Sequence, residues 1–244
     1  MRNSRLAFTR CSLALLAVSM NCAAEQAERP TPFVGYQMSY NGRVMGVPCT
    51  EWKITEIKAN SDIVSTCKSY VLESSGKNDF NPIRLSTMHG IKLIEFAPFA
   101  PILKFPLVVG QQWRSPYTVF SADTGLISEV SADCKVAAYE SITVPAGALN
   151  AFRIECADQW TVGAQTGLLH TTRWYSPEAA VIIKSDNKED PLRWNFELTS
   201  YGLEGAKSSA VATPPPATIA TPAAAVVPST NLDQVAPIKE FDDY

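Results

Sequence analysis

The chain has only two histidines, His89 and His170, and no CxxC spacing. Cysteine–histidine zinc sites need four clustered ligands, so these counts argue against one. No GxSxG elbow, HExxH helix, glycine-rich phosphate loop or EF-hand loop occurs, and the sequence implies no cofactor. Positive charge is not in excess either. Lys and Arg number 21 against 24 Asp and Glu, a net charge of −3, which disfavours nucleic acid and anionic surfaces as partners. After the N-terminus no apolar run approaches the roughly 20 residues a membrane-spanning helix needs. No segment there sustains a helical repeat.

What is present begins with an address. Arg2, Arg5 and Arg10 form a positive start without acidic residues, and Leu13 to Met20 follows as an apolar run of about eight residues. Cys22-Ala23-Ala24 then offers the small residues a signal peptidase reads, so residues 1–24 are expected to be a signal peptide cleaved after Ala24. The expected location is the periplasm or the exterior. Acylation of Cys22 is the rival reading, which Ser19-Met20-Asn21 fits poorly because a small residue is wanted just before the cysteine. Removing residues 1–24 takes away three basic residues and no acidic one, leaving a net charge of −6.

Four cysteines remain, Cys49, Cys67, Cys134 and Cys156, an even number suited to an oxidising compartment. Cys49 and Cys67 lie on either side of a turn expected at Lys58–Ser61. Cys134 and Cys156 likewise flank one at Val144–Ala148. In each case the distances to the turn are similar, so hairpin pairing predicts Cys49–Cys67 and Cys134–Cys156 disulfides.

Residues 32–205 form the expected folded domain, with apolar and polar residues alternating at a period near two. Tyr36, Met38 and Tyr40 precede Asn41-Gly42, which has the composition of a two-residue hairpin turn. Strands are expected over Trp52–Ile57, Asp62–Tyr70, Ile83–Ser86, Ile91–Phe96, Trp113–Phe120, Ile127–Val144, Leu149–Thr161, Leu168–Tyr175, Val181–Lys184 and Trp194–Leu203. Asn41, Asn60, Asn81 and Asn187 fall where turns are expected. From residue 207 the composition changes to a Pro/Ala/Thr-rich tract ending in an acidic, aromatic tip. Residues 207–244 are therefore expected to be a disordered tail.

Three local signals stand out. Pro106-Leu107-Val108-Val109-Gly110-Gln111-Gln112-Trp113 reads as an apolar approach, a glycine turn and an aromatic opening a strand. Val144-Pro145-Ala146-Gly147 reads as a turn with a bulge, which would offset the register of its two long strands. Arg173-Trp174-Tyr175-Ser176-Pro177 reads as an aromatic strand end followed by a turn. Together with Ala151 to Ile154, these signals resemble a family of bacterial envelope proteins of unknown function across about residues 34–203. The resemblance implies an antiparallel β fold of the kind seen in the half-open sheets of periplasmic lipoprotein carriers, and it brings no catalytic residues. Alanine stands at 180, where the resemblance would place a glycine.

The expected fold is all-β: one antiparallel, strongly curved sheet or partial barrel of about ten strands. The expected function is that of a non-enzymatic binding or accessory protein, whose concave face holds an apolar small molecule or an envelope protein. The proline-broken apolar segment Phe96–Leu107 supplies its rim through Phe96, Phe99 and Phe105. Two alternatives accompany this reading. One is an interaction scaffold whose tail presents Val235–Tyr244 to an envelope assembly. The other is a hydrolase using His170 with Glu155 or Asp158.

Overall fold

The computed structural model describes residues 25–203; the expected signal, Cys22 and the expected tail at 207–244 lie outside them. The strands in chain order are β1 (Gln26–Ala27), β2 (Tyr36–Gly42), β3 (Glu51–Ile57), β4 (Ile63–Cys67), β5 (Tyr70–Ser75), β6 (Asn81–Thr87) and β7 (Lys92–Ala97). They continue as β8 (Leu107–Val108), β9 (Gln112–Ser121), β10 (Leu126–Val144), β11 (Gly147–Val162), β12 (Gln165–Ser176) and β13 (Val181–Asn187). A single helical turn, α1 (Pro191–Trp194), precedes β14 (Phe196–Leu203) and is the one helix among the described residues.

Twelve of these strands close into an antiparallel barrel in the order β10-β11-β12-β13-β14-β2-β3-β4-β5-β6-β7-β9, and β1 pairs separately with β8. The all-β, antiparallel expectation agrees with this architecture. The open sheet of about ten strands does not, because the ring is complete. One unexpected strand came from Asp62–Tyr70, which turns at Lys68 in the left-handed region (φ 49°) and returns as β5. Closure itself follows from the β14–β2 ladder, which joins the last barrel strand to the first. Pairing all strands also removes the exposed edges that favour aggregation.

The Asn41-Gly42 turn is also corrected. Both residues belong to β2, and the chain reverses later, at Met45-Gly46 inside a Val44–Val47 bridge. Gly42 is required for another reason. Its φ is +83°, and a Cβ there would lie 2.2 Å from the Asn195 carbonyl oxygen. Asn41 uses its side-chain oxygen to accept from the Glu197 N–H.

Because consecutive barrel strands are neighbours, the connections alternate between two ends. Connections 43–50, 68–69, 88–91, 122–125, 163–164 and 188–195 form one end, the mouth. Connections 58–62, 76–80, 98–111, 145–146 and 177–180 form the other, the base. Two devices close the base. The first is the proline-broken segment after β7, whose backbone Asn81 grips from beneath. The buried Asn81 amide donates to the Leu103 carbonyl and accepts from the Ile102 and Leu103 N–H groups, each at 2.8 Å. Trp113 adds a hydrogen bond to the Pro101 carbonyl at 2.9 Å. Leu103 and Leu107 thereby bury against Trp113, Phe152, Ile154 and Tyr175.

The second device is the β10–β11 hairpin, whose outer part outruns its neighbours. β9 pairs with β10 only to Lys135, and β12 pairs with β11 only from Phe152. The ribbon beyond reaches across to β14, where the Ala146 N–H meets the Leu198 carbonyl at 2.9 Å. Val144, Leu149 and Ala151 are buried there with Ile183 and Leu198. A register shift at Ala137 offsets this hairpin, so the irregularity sits well below the Val-Pro-Ala-Gly turn. The same shift places Cys134 directly opposite Cys156. These two cysteines are joined with Cα atoms 4.1 Å apart, and Cys49 is joined to Cys67 across the β3–β4 hairpin.

The outer wall is polar and laced with cross-strand ion pairs, among them Lys58–Glu73, Arg84–Glu73 and Lys184–Glu197. The wall therefore separates a wet exterior from an interior where side chains from alternate positions meet.

A candidate binding well inside the barrel

Strand pairing puts one set of residues on the inner face of β9–β12: Trp113 to Val119 by odd numbers, Ser128 to Val136 by even, Phe152 to Val162 by even, and Gly167 to Tyr175 by odd. Toward the base this face is buried, with Ala132, Cys134, Val136, Phe152, Ile154, Cys156 and Tyr175 all in the core. Toward the mouth it is not: Val119, Ser128, Trp160, Val162 and Leu169 are half-buried although they point inward. Half-buried inward residues above a buried floor describe a well that opens at the mouth.

The mouth is covered on its other side. Connection 43–50 and α1 lean inward there, with the Gly46 N–H bonded to the Arg193 carbonyl. Arg193 Nη2 reaches Asp123 Oδ2 at 2.8 Å, tying α1 to the β9–β10 turn. Although burial alone would raise the Asp123 carboxyl, hydrogen bonds from Ser121 and Arg193 hold it below its ordinary range. Beneath this cover lies a void of about 20 Å³, bounded by Met45, Val47, Tyr70, Leu85 and Ile94, room for a single water. A second space, about 590 Å³ and open to solvent, is bounded by Pro116, Thr118, Glu129, Ser131 and Gln159 together with Tyr117 and Val130.

Three polar side chains sit at the floor of the well. Tyr117 donates to Asp158 Oδ2 over 3.4 Å, a weak bond, and the second carboxyl oxygen of Asp158 is buried without a partner among the described residues. Arg173, on the neighbouring strand β12, stands on the inner face and keeps intermediate solvent accessibility. Among the described residues it makes no hydrogen bond or ion pair, and Asp158 acts on it only through a longer-range field. Burial lowers the Arg173 pKa, with Asp158 and Tyr117 partly offsetting that. Burial also raises the Asp158 carboxyl above its ordinary range, with Arg173 and the Tyr117 hydroxyl restraining the shift. Above the trio, the Trp160 indole lies flat on Gly167, where a Cβ would come within 2.4 Å of the ring.

Of the sequence-derived candidates, Phe96 stands on the inner wall paired with Val119, and the others lie elsewhere. Phe96 is buried at mid-height beside Tyr117, with ring centroids 6.3 Å apart. Phe105 packs edge-on against Tyr175 at the base, at 5.2 Å, and Phe99 is half-buried in the plug segment. None of the three is at the mouth. His170 lies on the outer wall, on the opposite face from Asp158, with Nδ1 2.7 Å from Glu189 Oε1. Burial alone would raise the Glu189 carboxyl, but the His170 side chain and backbone hold it low. Glu155 is engaged by Arg153 and Lys135, so the structure does not bring it or Asp158 to His170. His89 is exposed in the β6–β7 turn. No cluster of three or more metal-ligating side chains occurs among the described residues, and no helix there is long and apolar enough to cross a membrane. Of the floor residues, sequence reasoning singled out Asp158 alone, and for another chemistry.

No protein-family model matches the chain, and no curated protein does. Among solved structures, the chain is similar to the hypothetical lipoprotein YmcC from Escherichia coli, with 11% identity and a TM-score of 0.45 over 74% of this chain and 88% of that one. It is also similar to a protein from Bacteroides fragilis described as exported and YmcC-like in fold, with 13% identity and a TM-score of 0.40 over 72% of this chain and 99% of that one. A third, described as a lipoprotein from Parabacteroides distasonis, shares 9% identity with a TM-score of 0.42 over 73% of this chain and 100% of that one. At these values the likeness carries no argument about function.

Proposed function

We propose that the protein is exported and acts outside the cytoplasm as a non-enzymatic binding protein, holding the apolar part of a ligand in the well of its barrel. One observation carries this reading: Val119, Trp160, Val162 and Leu169 point inward yet stay half-exposed, above the buried Ala132, Cys134, Val136, Ile154 and Cys156. An apolar wall left accessible on the inside of a closed barrel is the arrangement by which barrels hold small ligands. Export is supported by the arginine-flanked apolar run at the N-terminus, and the two disulfides suit an oxidising compartment.

Native mass spectrometry of the mature chain, released gently from the periplasm, tests the reading directly. A discrete mass increment of lipid size is expected. Titration of the refolded chain with Nile red, a neutral apolar dye, supplies the second half of the test. A bare mass together with no dye uptake would overturn the proposal.

A further inference from the structure

We infer that Arg173, with Tyr117 and Asp158, anchors the oxyanion head of an amphipathic ligand whose tail lies along Trp160, Leu169 and Val119. The inference rests on the binding reading above and names the ligand class for the same well. Its starting point is a residue with no structural role in the described fold. A guanidinium inside a protein carries a large desolvation cost and is ordinarily met by a carboxylate or carbonyls. Among the described residues Arg173 has neither, although it stands on the inner face between the buried Thr171 and Tyr175.

The neighbours complete a receptor for an anion. The planar guanidinium offers paired N–H donors that match a carboxylate or a phosphate. Tyr117, whose hydroxyl is held protonated by burial, has only the long contact to Asp158 to give up. Burial raises the Asp158 carboxyl, and an incoming anion raises it further, which favours the protonated form that can donate. Its unpartnered oxygen then has a use. An anion bound there is held by a cation and two neutral donors, while the half-exposed apolar wall above accepts a chain. The geometry matches a carboxylate or phosphate monoester attached to a hydrocarbon, rather than a free inorganic anion.

Competition against Nile red on the refolded full mature chain tests this, with lauric acid, dodecyl phosphate and dodecanol as matched competitors. At least one of the two anions is expected to displace the dye about tenfold or more better than dodecanol. Arg173→Met is expected to abolish that preference. Dodecanol displacing the dye as well as both anions would overturn the anchor and leave the apolar well standing. Failure of Nile red to bind at all would overturn the well itself. A preference retained in Arg173→Met would also overturn the anchor. Should that variant not fold, Arg173→Lys serves instead. A point-charge ammonium is expected to keep the sign of the preference but weaken anion binding several-fold, and unaltered affinity would count against the fork.

Discussion

Replacing Arg173 by methionine is expected to make the empty protein more stable. The substitution removes an enclosed guanidinium that lacks a partner among the described residues, and puts in its place an unbranched apolar chain able to settle against Ile154 and Tyr175. Even complete buried ion pairs are often bettered by apolar replacements, by about 1–4 kcal/mol. One cost works against the gain: Asp158 loses its nearby cation. Losing that cation raises the Asp158 carboxyl further, which limits the cost without removing it. The net expectation is a gain of about 2 kcal/mol, a rise in Tm of roughly 4–8 °C for a domain of this size. The assay is thermal and urea unfolding of ligand-stripped protein with both disulfides intact, comparing wild type with the variant. Adding a preferred anionic amphiphile should then raise the wild-type Tm more than the variant's. A loss of more than about 1 kcal/mol in the empty variant would refute the reasoning, because it would mean that Arg173 is paired in the fold and available for no ligand.

Asp158→Asn is expected to stabilise the empty protein at neutral pH and to change nothing in strong acid. A raised folded pKa means that the ionised carboxyl disfavours the fold, and the disadvantage disappears as pH falls through the folded and then the unfolded value, so Tm measured against pH tests the sign. Asn81→Ala strips partners from two buried N–H groups and a carbonyl in the plug segment; a loss of about 3 kcal/mol by urea unfolding is expected. Gly42→Ala must fit a Cβ 2.2 Å from the Asn195 carbonyl, whereas Gly90→Ala, also at positive φ, meets open space. Soluble yield and Tm should collapse for the first and fall by about 1 kcal/mol for the second. Ala180 holds φ at +55°, so Ala180→Gly is expected to raise stability by up to about 1 kcal/mol, read as a higher urea midpoint.

The departure at residue 180 shows how local signals transfer. The turn after Pro177 still adopts the left-handed conformation that a glycine would favour, and alanine occupies it under strain. Disulfide pairing was also local: Cys134 and Cys156 join adjacent strands of one hairpin, Cys49 just before β3 joins the end of β4, and distance to the turn was enough to propose both. For Cys134 and Cys156 the outcome depended on something less visible, the single-residue shift at Ala137. Nothing in a run of alternating residues marks where one extra residue is absorbed.

The floor of the well was hidden for a related reason. β12 carries Thr171, Arg173 and Tyr175 on one face and His170, Thr172 and Trp174 on the other, so each face shows an aromatic and a cationic or imidazole group. Alternation alone does not say which face turns inward, and Arg173 looked like part of a strand end. Asn81 has the composition of a turn residue, and its three bonds to the plug appear only when residues 81 and 103 meet at the base.

The sequence by itself determined the all-β character, most strand positions and the hairpin partners of the cysteines. All of these depend on contacts between residues close along the chain, where alternation, turn chemistry and spacing act directly. It also carries the arginine-flanked apolar start on which the proposal of export rests. Only the tertiary structure decided that twelve strands close into a ring, which face of each strand becomes the interior, and that Tyr117, Asp158 and Arg173 share one floor. Those outcomes depend on ladders such as β14 with β2, whose residues stand more than 150 positions apart, as in Glu197 bonding to Asn41 at a separation of 156. Closure and inward direction are set jointly by register, twist and bulges summed around the barrel, and no single segment carries that sum.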